Sequence, residues 1–383
     1  MTVFVQGVGA VTPLGQSALE TWDQLCQGRQ ASRKLMANPI GGRQYYWYPV
    51  PAKFLSDAAR RPRLRRSGTV SLLGVAAGFD ALADGGYKPG PEMKEKIAVI
   101  FAICSGGVIY TRRLYHEIVT QGANAASPVL FPETVYNAAA SHMAALLGTD
   151  AQCYTLVGDS SVGLSALHFA AELLEIQPDL DGCLVVGTEE ADWLLADAFA
   201  SWRMATTKDS FQVFGNTNGT VFAEGAAAVL LGRIGSIGIS GISAGLPFFS
   251  RNESAPVAVE LLTGLLAGSS PQLIIASANG TFVDEVERIA FGRLLDRVPV
   301  FAPKPAVGEA LGAGALFQVV AACLALRRRQ MPGTLNAGPK LSTVNRQTQA
   351  YKGVCVLVTC VGFNQQINAA TLQISEHNAD GCY

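Results

Sequence analysis

The sequence has little of what metal-binding and nucleic-acid-binding proteins require. It contains four histidines, and none of its eight cysteines forms a CxxC pair. Charged residues make up 15% of the chain and nearly cancel, leaving a formal net charge of -1. Because metal sites need clustered ligands and nucleic-acid surfaces need excess positive charge, we expect no metal, no other cofactor and no nucleic-acid partner.

Long apolar runs are also missing. No uninterrupted apolar stretch is long enough to span a bilayer. The first residues, MTVFVQGVGAVTPLG, lack the basic segment of a signal peptide and soon reach glycine and proline. We therefore predict a cytoplasmic protein that does not enter a membrane, with its cysteines reduced and mostly buried in apolar runs such as VCVLVTC.

What the chain does have is apolar material, with 49% hydrophobic residues and 40 glycines. Short apolar runs alternate with helical stretches, which favours an α/β fold with a mainly parallel sheet covered on both faces. The pattern runs twice, so we predict two related halves, 1–233 and 234–383, with a linker near 232–247. The predicted strands are 2–8, 97–103, 153–157, 183–187, 226–233, 272–277 and 353–360. The predicted helices are 17–27, 68–84, 108–121, 134–147, 161–176, 256–268, 284–294 and 309–327.

Five stretches, in chain order, resemble the β-ketoacyl synthases of the thiolase fold. They are VQGVGAVTPLGQSALETWDQLCQGRQ, SPVLFPETVYNAAASHMAALLG, GTVFAEGAAAVLL, APKPAVGEALGAGALFQ and VGFNQQINA. The last is a degraded form of the family's terminal G-F-G-G-x-N loop and contains Phe363. The resemblance covers nearly all of the chain. It implies a thiolase-like fold, in which two duplicated halves form a five-layer α-β-α-β-α arrangement.

The resemblance also assigns positions to the family's catalytic residues, and this sequence replaces them. Ser160 stands where the family has its nucleophilic cysteine, at the bend between a strand and a helix. Asn279, in SANGT, and Glu309, in KPAVGE, stand at the two catalytic histidines. Lys304, which positions the second histidine in the family, is retained, and Gln318 replaces a glutamate. The resemblance thus implies a degenerate site.

Two interpretations of the bend remain open at this point. A serine hydroxyl is a far weaker acid than a thiol and needs an adjacent base. Asp159 and Glu309 are the nearest candidate bases, but a carboxylate beside the nucleophile opposes formation of a neighbouring oxyanion. Alternatively, Asp159, Ser160 and Ser161 form an N-cap cluster, and Lys304 and Glu309 form a buried ion pair that fills a former active site.

A synthase fold with a rewritten catalytic set resembles the chain-length factor, the non-condensing subunit of ketosynthase heterodimers in type II polyketide and aryl polyene biosynthesis. The resemblance implies an active ketosynthase subunit as partner and an acyl carrier protein, met directly or through that partner. The apolar strand 153–157 would lie at the dimer contact. Two alternatives are a stand-alone acyltransferase that uses Ser160 and a decarboxylase that makes starter units. The decarboxylase ranks last, because it needs the two missing histidines.

Aromatic residues near the expected dimer face are candidates for lining an acyl tunnel. Tyr110, Phe131 and Tyr136 lie on the predicted helix 108–121 and in the segment 128–137. We predict that these three side chains limit the tunnel, and the alternative is that they are ordinary core aromatics.

Although the total charge is nearly neutral, one short stretch is strongly basic. The stretch ARRPRLRRSG places five arginines within seven positions, namely Arg60, Arg61, Arg63, Arg65 and Arg66. Guanidinium groups bind phosphate and carboxylate in a fixed fork geometry, so a contact with an acidic carrier protein or with the partner subunit is one interpretation. A solvated basic turn is the other.

Overall fold

The computed structural model describes residues 3–90, 93, 95–208, 211–216, 219–363 and 366–375. Its strands are β1 (Val3–Val11), β2 (Lys34–Met36), β3 (Tyr45–Tyr48), β4 (Ile97–Ile103), β5 (Cys153–Val157), β6 (Gly182–Glu189), β7 (Phe222–Ala223), β8 (Gly225–Gly232), β9 (Ile237–Ile242), β10 (Leu246–Pro247), β11 (Leu273–Ile275), β12 (Val300–Phe301), β13 (Gln330–Met331), β14 (Gln349–Ala350), β15 (Cys355–Val361) and β16 (Gln366–Ile374).

Its α-helices are α1 (Ala18–Cys26), α2 (Ser56–Ala59), α3 (Thr69–Asp84), α4 (Val108–Gln121), α5 (Ala138–Leu147), α6 (Val162–Ile176), α7 (Trp193–Ser201), α8 (Arg251–Leu265), α9 (Phe282–Leu294), α10 (Lys304–Val307) and α11 (Leu311–Arg328). Local sequence signals set several of these ends. At the start of α1, the Ser17 side chain accepts a hydrogen bond from the Glu20 amide, and Glu20 accepts one from the Gln16 amide, a reciprocal cap.

One large sheet runs through the molecule in the order β12-β11-β15-β16-β9-β1-β8-β6-β4-β5, with β10 paired to β16. The two halves of the chain meet where β1 pairs with β9 in antiparallel register. The helices sandwich this sheet in layers. Helices α3 and α5 cover one outer face, α6 and α11 lie in the middle between the sheet halves, and α8 and α9 cover the other outer face. The predicted α/β thiolase-like fold is confirmed.

Helix α11 occupies the centre of the molecule because it is apolar on every side. Its residues from Leu311 to Leu326 are buried, as expected of a helix without a polar face. It is also long and apolar enough to cross a membrane by length and composition, yet 89% of that stretch is buried inside the protein. This is the environment of a core helix.

The prediction of a mainly parallel sheet is wrong. Strands β4, β5 and β6 are parallel to one another, and so are β11, β12 and β15. The pairs from β6 through β8, β1, β9 and β16 to β15 are all antiparallel. The physical reason is that a strand buried on both faces reads as a continuous apolar run whatever its direction. The stretch 232–247, predicted as a linker, contains β9, which lies inside the sheet.

Candidate active site

The bend that holds Ser160 connects β5 to α6, as the sequence predicts. Ser160 is fully buried, and within the described residues its hydroxyl oxygen has no hydrogen-bond partner. Its carbonyl oxygen accepts a bond from the Cys360 thiol, 3.0 Å away on β15. The hydroxyl therefore lies in a closed environment without a base in hydrogen-bond contact.

Asp159 shapes this bend. One of its carboxylate oxygens accepts bonds from the Ser161 amide at 3.1 Å and from the Ser161 hydroxyl at 3.0 Å. The carboxylate also packs against the backbone of Gly362, where a Cβ atom would lie only 2.5 Å from it. Ser161 precedes α6 but makes no side-chain capping bond itself. Among the described residues of the predicted N-cap cluster, the capping contact is therefore the one between the Asp159 carboxylate and Ser161.

Lys304, Glu309 and Asn279 form one buried cluster. The Lys304 ammonium nitrogen lies 2.6 Å from Glu309 Oε2, and Asn279 Nδ2 donates to the same oxygen at 2.7 Å. The Asn279 side-chain oxygen accepts from the Thr281 hydroxyl at 2.7 Å. The predicted ion pair is thus present, and Asn279 is held between Thr281 and that pair.

The electrostatics of this cluster favour the charged pair. Burial, the largest single effect, lowers the pKa of the Lys304 ammonium, but the adjacent Glu309 carboxylate and the acidic groups around it together outweigh burial, and the pKa stands above its ordinary value. The exposed fraction is 2% for the Lys304 side chain and 0% for Glu309. Each of these two buried charges is stabilised by the other, because removing one would leave the other as an uncompensated buried charge.

Sequence analysis missed two thiols beside these residues. Cys360 contacts Ser160, and Cys104 follows β4 near Glu189. Burial raises the pKa of both thiols well above the usual range, and Glu189 adds to the effect at Cys104. Both side chains therefore remain neutral thiols, which are poor nucleophiles. The available signal was their position at the carboxyl ends of predicted strands, which meet at one edge of an α/β sheet.

A pocket of about 720 Å³ opens beside the bend. Its walls are largely apolar and come from several elements. They comprise Cys104, Val157, Gly158, Asp159, Leu195, Ala198, Phe199, Trp202, Met204, Arg251 and Phe363. Ser160, Asn279, Lys304 and Glu309 are not among these lining residues, so the pocket ends at Asp159 and Cys104. The Phe363 ring centroid lies 5.6 Å from that of Phe199, with the ring planes tilted by 56°, so the two rings form one part of the pocket wall.

A second, more polar cavity of about 500 Å³ shares Met204 and Arg251 with this pocket. It is lined by Arg43, Ala200, Arg203, Met204, Ala205, Thr207, Gly219, Arg251, Thr281 and Phe282. Arg203 has a left-handed backbone, with φ of 59°, which is uncommon for a residue other than glycine. The two cavities together give an apolar pocket next to an arginine-lined one.

The three predicted tunnel aromatics lie outside the apolar pocket. The Tyr110 hydroxyl donates to the Arg66 carbonyl oxygen at 2.9 Å. Phe131 and Tyr136 are on the protein surface, with exposed fractions of 61% and 48%. They border the exposed side of α4, so a tunnel lined by them would require a covering partner.

The arginine cluster is mostly exposed and lies on the turn before α3. Arg61 places its guanidinium carbon 4.2 Å from the centroid of the Phe79 ring, and Arg60 pairs with Asp57 at 3.5 Å. Arg63, Arg65 and Arg66 are exposed to solvent. The structure therefore leaves four of the five guanidinium groups on one accessible turn.

Strand β5 lies at one end of the sheet order, where its pairing partner is β4. Both of its ends, Cys153 and Val157, are exposed, and the residues between them are half-buried. A short apolar edge strand of this kind presents unpaired backbone groups to another chain.

Two family models match the chain. Residues 1–234 match the β-ketoacyl synthase N-terminal domain, and residues 266–338 match the β-ketoacyl synthase C-terminal domain. Among curated relatives, the 3-oxoacyl-(acyl-carrier-protein) synthase 2 of Rhizobium meliloti is 25% identical, covering 87% of this chain and 88% of that protein. The actinorhodin polyketide putative beta-ketoacyl synthase 2 of Streptomyces coelicolor is 24% identical, covering 85% and 86%.

Solved structures show the same fold. The ishigamide ketosynthase/chain length factor superposes with a TM-score of 0.84 at 20% identity, covering 98% of this chain and 99% of that one. A ketosynthase in complex with its chain length factor from Xenorhabdus doucetiae gives a TM-score of 0.79 at 17% identity, covering 98% of both chains. With both family models matched in order, the chain belongs to the β-ketoacyl synthase family.

Proposed function

We propose that this protein is a non-condensing subunit of the chain-length-factor type. In this role it pairs with an active β-ketoacyl synthase and shapes the space into which the acyl chain grows. The observation that carries the proposal is the buried Lys304–Glu309–Asn279 cluster, in which, by the resemblance, Asn279 and Glu309 stand at the positions of the family's histidine pair. A condensing enzyme needs these positions for proton handling and enolate stabilisation, and here they are engaged with one another.

The state of Ser160 supports the same proposal. A serine nucleophile requires a base within hydrogen-bond reach of its hydroxyl. Among the residues that the structure describes, the Ser160 hydroxyl has no such contact, and it lies outside the walls of the apolar pocket. An acyl chain in that pocket would meet the Asp159 carboxylate and the neutral thiol of Cys104.

The relatives support a role in acyl-chain biosynthesis. Their names include 3-oxoacyl-(acyl-carrier-protein) synthases and polyketide beta-ketoacyl synthases, and solved relatives include ketosynthase/chain length factor assemblies. Another relative of the same fold is a ketosynthase in complex with its type II polyketide acyl carrier protein. We infer that this protein has an active ketosynthase as partner, and that the acyl carrier protein reaches the pair through that partner or at the arginine turn, residues 60–66.

The surface that would receive the partner is the edge strand β5 with the exposed side of α4. Phe131 and Tyr136 lie next to this surface and become tunnel-lining residues once a second subunit covers them. This assigns the three predicted aromatics to the contact surface between subunits, with Phe131 and Tyr136 exposed and Tyr110 half-buried on α4.

Intact-protein mass spectrometry after incubation with acyl-loaded carrier protein tests the proposal against a serine acyltransferase. The proposal predicts no acyl adduct on the wild type and the same spectrum for Ser160→Ala. A known condensing synthase from the same carrier-protein system serves as the positive control. A stoichiometric adduct on the wild type that disappears in Ser160→Ala would overturn the proposal and assign Ser160 as a nucleophile.

A further inference from the structure

Helix α4 is a surface helix with an uncovered apolar side. Leu114 is its one buried residue, whereas Tyr115 and Val119 have exposed fractions of 63% and 80%. The neighbouring segment 129–136 adds Val129, with an exposed fraction of 48%. Apolar side chains of this size on adjoining elements mark a surface that another protein covers.

Two consecutive glutamates at the end of β6 accept hydrogen bonds from backbone amides at the N-terminal end of α4 and in the turn before it. Glu189 accepts bonds from the Cys104 and Ser105 amides, both at 3.0 Å, in the turn that leads into α4. Glu190 accepts from the Ile109 amide, in the first turn of α4, at 2.9 Å. These carboxylates therefore satisfy backbone donors on the path from β4 into α4.

Asp192 extends this contact to the side chain of α4. Its carboxylate receives the Arg112 guanidinium through two nitrogens, with the closest approach of 2.9 Å from Nη2 to Oδ2. The same carboxylate accepts from the Leu194 amide at 3.0 Å and so caps the start of α7. Asp192 has a side-chain exposed fraction of 5%, so this is a partly buried, forked ion pair.

The turn before α4, which Glu189 holds, and helix α7, which Asp192 caps, both contribute to the walls of the apolar pocket. Cys104, whose amide is held by Glu189, contributes one wall. Helix α7, which Asp192 caps, contributes Leu195, Ala198 and Phe199 to another wall. A displacement of α4 must either carry these walls with it or break a forked ion pair and several amide contacts.

We infer that Arg112 and Asp192 are positioning residues that couple the exposed side of α4 to the shape of the apolar pocket. Through them, a subunit that covers α4 fixes the position of α7 and hence the length of chain that the pocket accepts. The inference rests on the proposed function for the identity of the covering subunit and for the acyl chain in the pocket. The coupling itself is a property of this chain.

Two variants separate the ion pair from helix capping. Asp192→Asn keeps the volume and the capping oxygen, since asparagine caps helices as well as aspartate does, but it loses the charge. Arg112→Gln removes the guanidinium from the other side. Arg113→Gln is the matched control, because Arg113 is the next residue on α4, is exposed, and holds its guanidinium over the Tyr110 ring, 5.5 Å from the centroid.

Hydrogen exchange of the purified chain tests the coupling without any partner. Peptides that cover 193–201 should exchange on the order of tenfold faster in Asp192→Asn and Arg112→Gln than in Arg113→Gln, because local opening loses a buried charged contact. Maleimide labelling of Cys104 should accelerate in the same two variants, with labelling of the exposed Cys153 unchanged. Equal exchange and labelling in Arg112→Gln and Arg113→Gln would overturn the inference.

The complex with the active subunit provides the second readout. Asp192→Asn should leave complex formation intact and broaden the distribution of product chain lengths, an effect that simple loss of stability does not cause. An unchanged distribution from an intact variant complex would contradict the coupling. Failure of the wild-type chain to bind any ketosynthase would instead contradict the proposed function, while the exchange experiment would still decide the coupling.

Discussion

At the scale of single residues, the side chains of the buried Lys304–Glu309–Asn279 cluster depend on one another. Glu309 is compatible with a buried position because Lys304 and Asn279 both donate to it. A histidine at position 279 would present its ring nitrogens to Glu309 in place of the Asn279 amide group. The cluster therefore behaves as a unit, and reverting one member does not restore the others.

Restoring the nucleophile alone should not restore condensation. We expect Ser160→Cys to form no carbon–carbon bond from malonyl and acyl carrier-protein substrates, because Asn279 and Glu309 remain and cannot act as the histidine pair does. The measurement is product detection by mass spectrometry, with Ser160→Ala as the matched blank. Elongated product from Ser160→Cys above that blank would show that the site has been assigned incorrectly.

Breaking the buried ion pair should destabilise the protein. Lys304→Met leaves the Glu309 carboxylate buried without its cation, and we expect a loss of about 3–5 kcal/mol in the free energy of unfolding. Urea denaturation measures this loss. Asp57→Asn, which removes the exposed pair with Arg60, is the control and should change stability by less than about 1 kcal/mol. Similar losses in the free energy of unfolding for Lys304→Met and Asp57→Asn would contradict a buried, solvent-excluded ion pair.

Much of the site could be predicted from the sequence, and the rest depends on tertiary contacts. The resemblance assigned Ser160, Asn279, Lys304 and Glu309 to one site, and the structure brings Asn279, Lys304 and Glu309 into contact. The positions of Cys104 and Cys360 beside the bend could not be predicted, because in the sequence each has the pattern of an ordinary buried cysteine at the end of an apolar run. Only the sheet order shows that these strand ends converge on the bend.

At the scale of elements, strong periodic patterns gave accurate bounds. Strands β4 and β5 and helix α4 have the predicted limits of 97–103, 153–157 and 108–121. Strand β9 was missed because its sequence, IGISGI, is rich in glycine and serine, and its pairing with β1 and β16 supplies the stability that its composition does not. Helix α7 was also missed, although Asp192 before WLLADAFA is an N-cap signal.

The end of α6 depends on one arginine from outside the helix. Arg233, just after β8, donates to the carbonyl oxygens of Leu174 at 2.7 Å, Gln177 at 2.9 Å and Leu180. We expect Arg233→Ala to lower the free energy of unfolding by about 2–3 kcal/mol, because charged hydrogen bonds are lost and terminal carbonyl groups lose their donors. Chemical denaturation measures this change.

Arg233→Lys is the matched variant, and it should retain part of the stability because the ammonium can still reach one carbonyl oxygen. If Arg233→Ala unfolded at the same urea concentration as the wild type, the contacts at the end of α6 would contribute nothing to stability.

At the scale of the whole molecule, buried carboxyl groups link stability to pH. Burial raises the pKa of Glu189, Glu190, Glu224 and Glu287 to about 7, against an ordinary value of 4.5. The folded protein therefore keeps these protons to higher pH than the unfolded chain. Their contribution to stability is present below pH 4.5 and is lost as the pH rises through about 7.

We accordingly expect the melting temperature to fall between pH 5.5 and pH 8, as measured by scanning calorimetry at constant ionic strength. Glu190→Gln should flatten this dependence, because glutamine has no proton to release and keeps one acceptor oxygen for the Ile109 amide. A melting temperature that rose across this pH range would contradict the direction of these shifts.

The sequence predicted the overall architecture well because fold class depends on the alternation of apolar strands and helices, which is robust to local error. It could not predict strand direction, since burial on both faces gives the same composition in either direction. Nor could it show that the apolar pocket ends at Asp159 and excludes Ser160, because that boundary depends on how the bend, β15 and α7 pack together.

The central claim is that this chain works in a pair with an active synthase, and native mass spectrometry of the protein isolated from its own host tests it most directly. The account predicts a stoichiometric complex with one partner of similar mass whose sequence carries the intact cysteine and both histidines. A homodimer without such a partner would contradict the account.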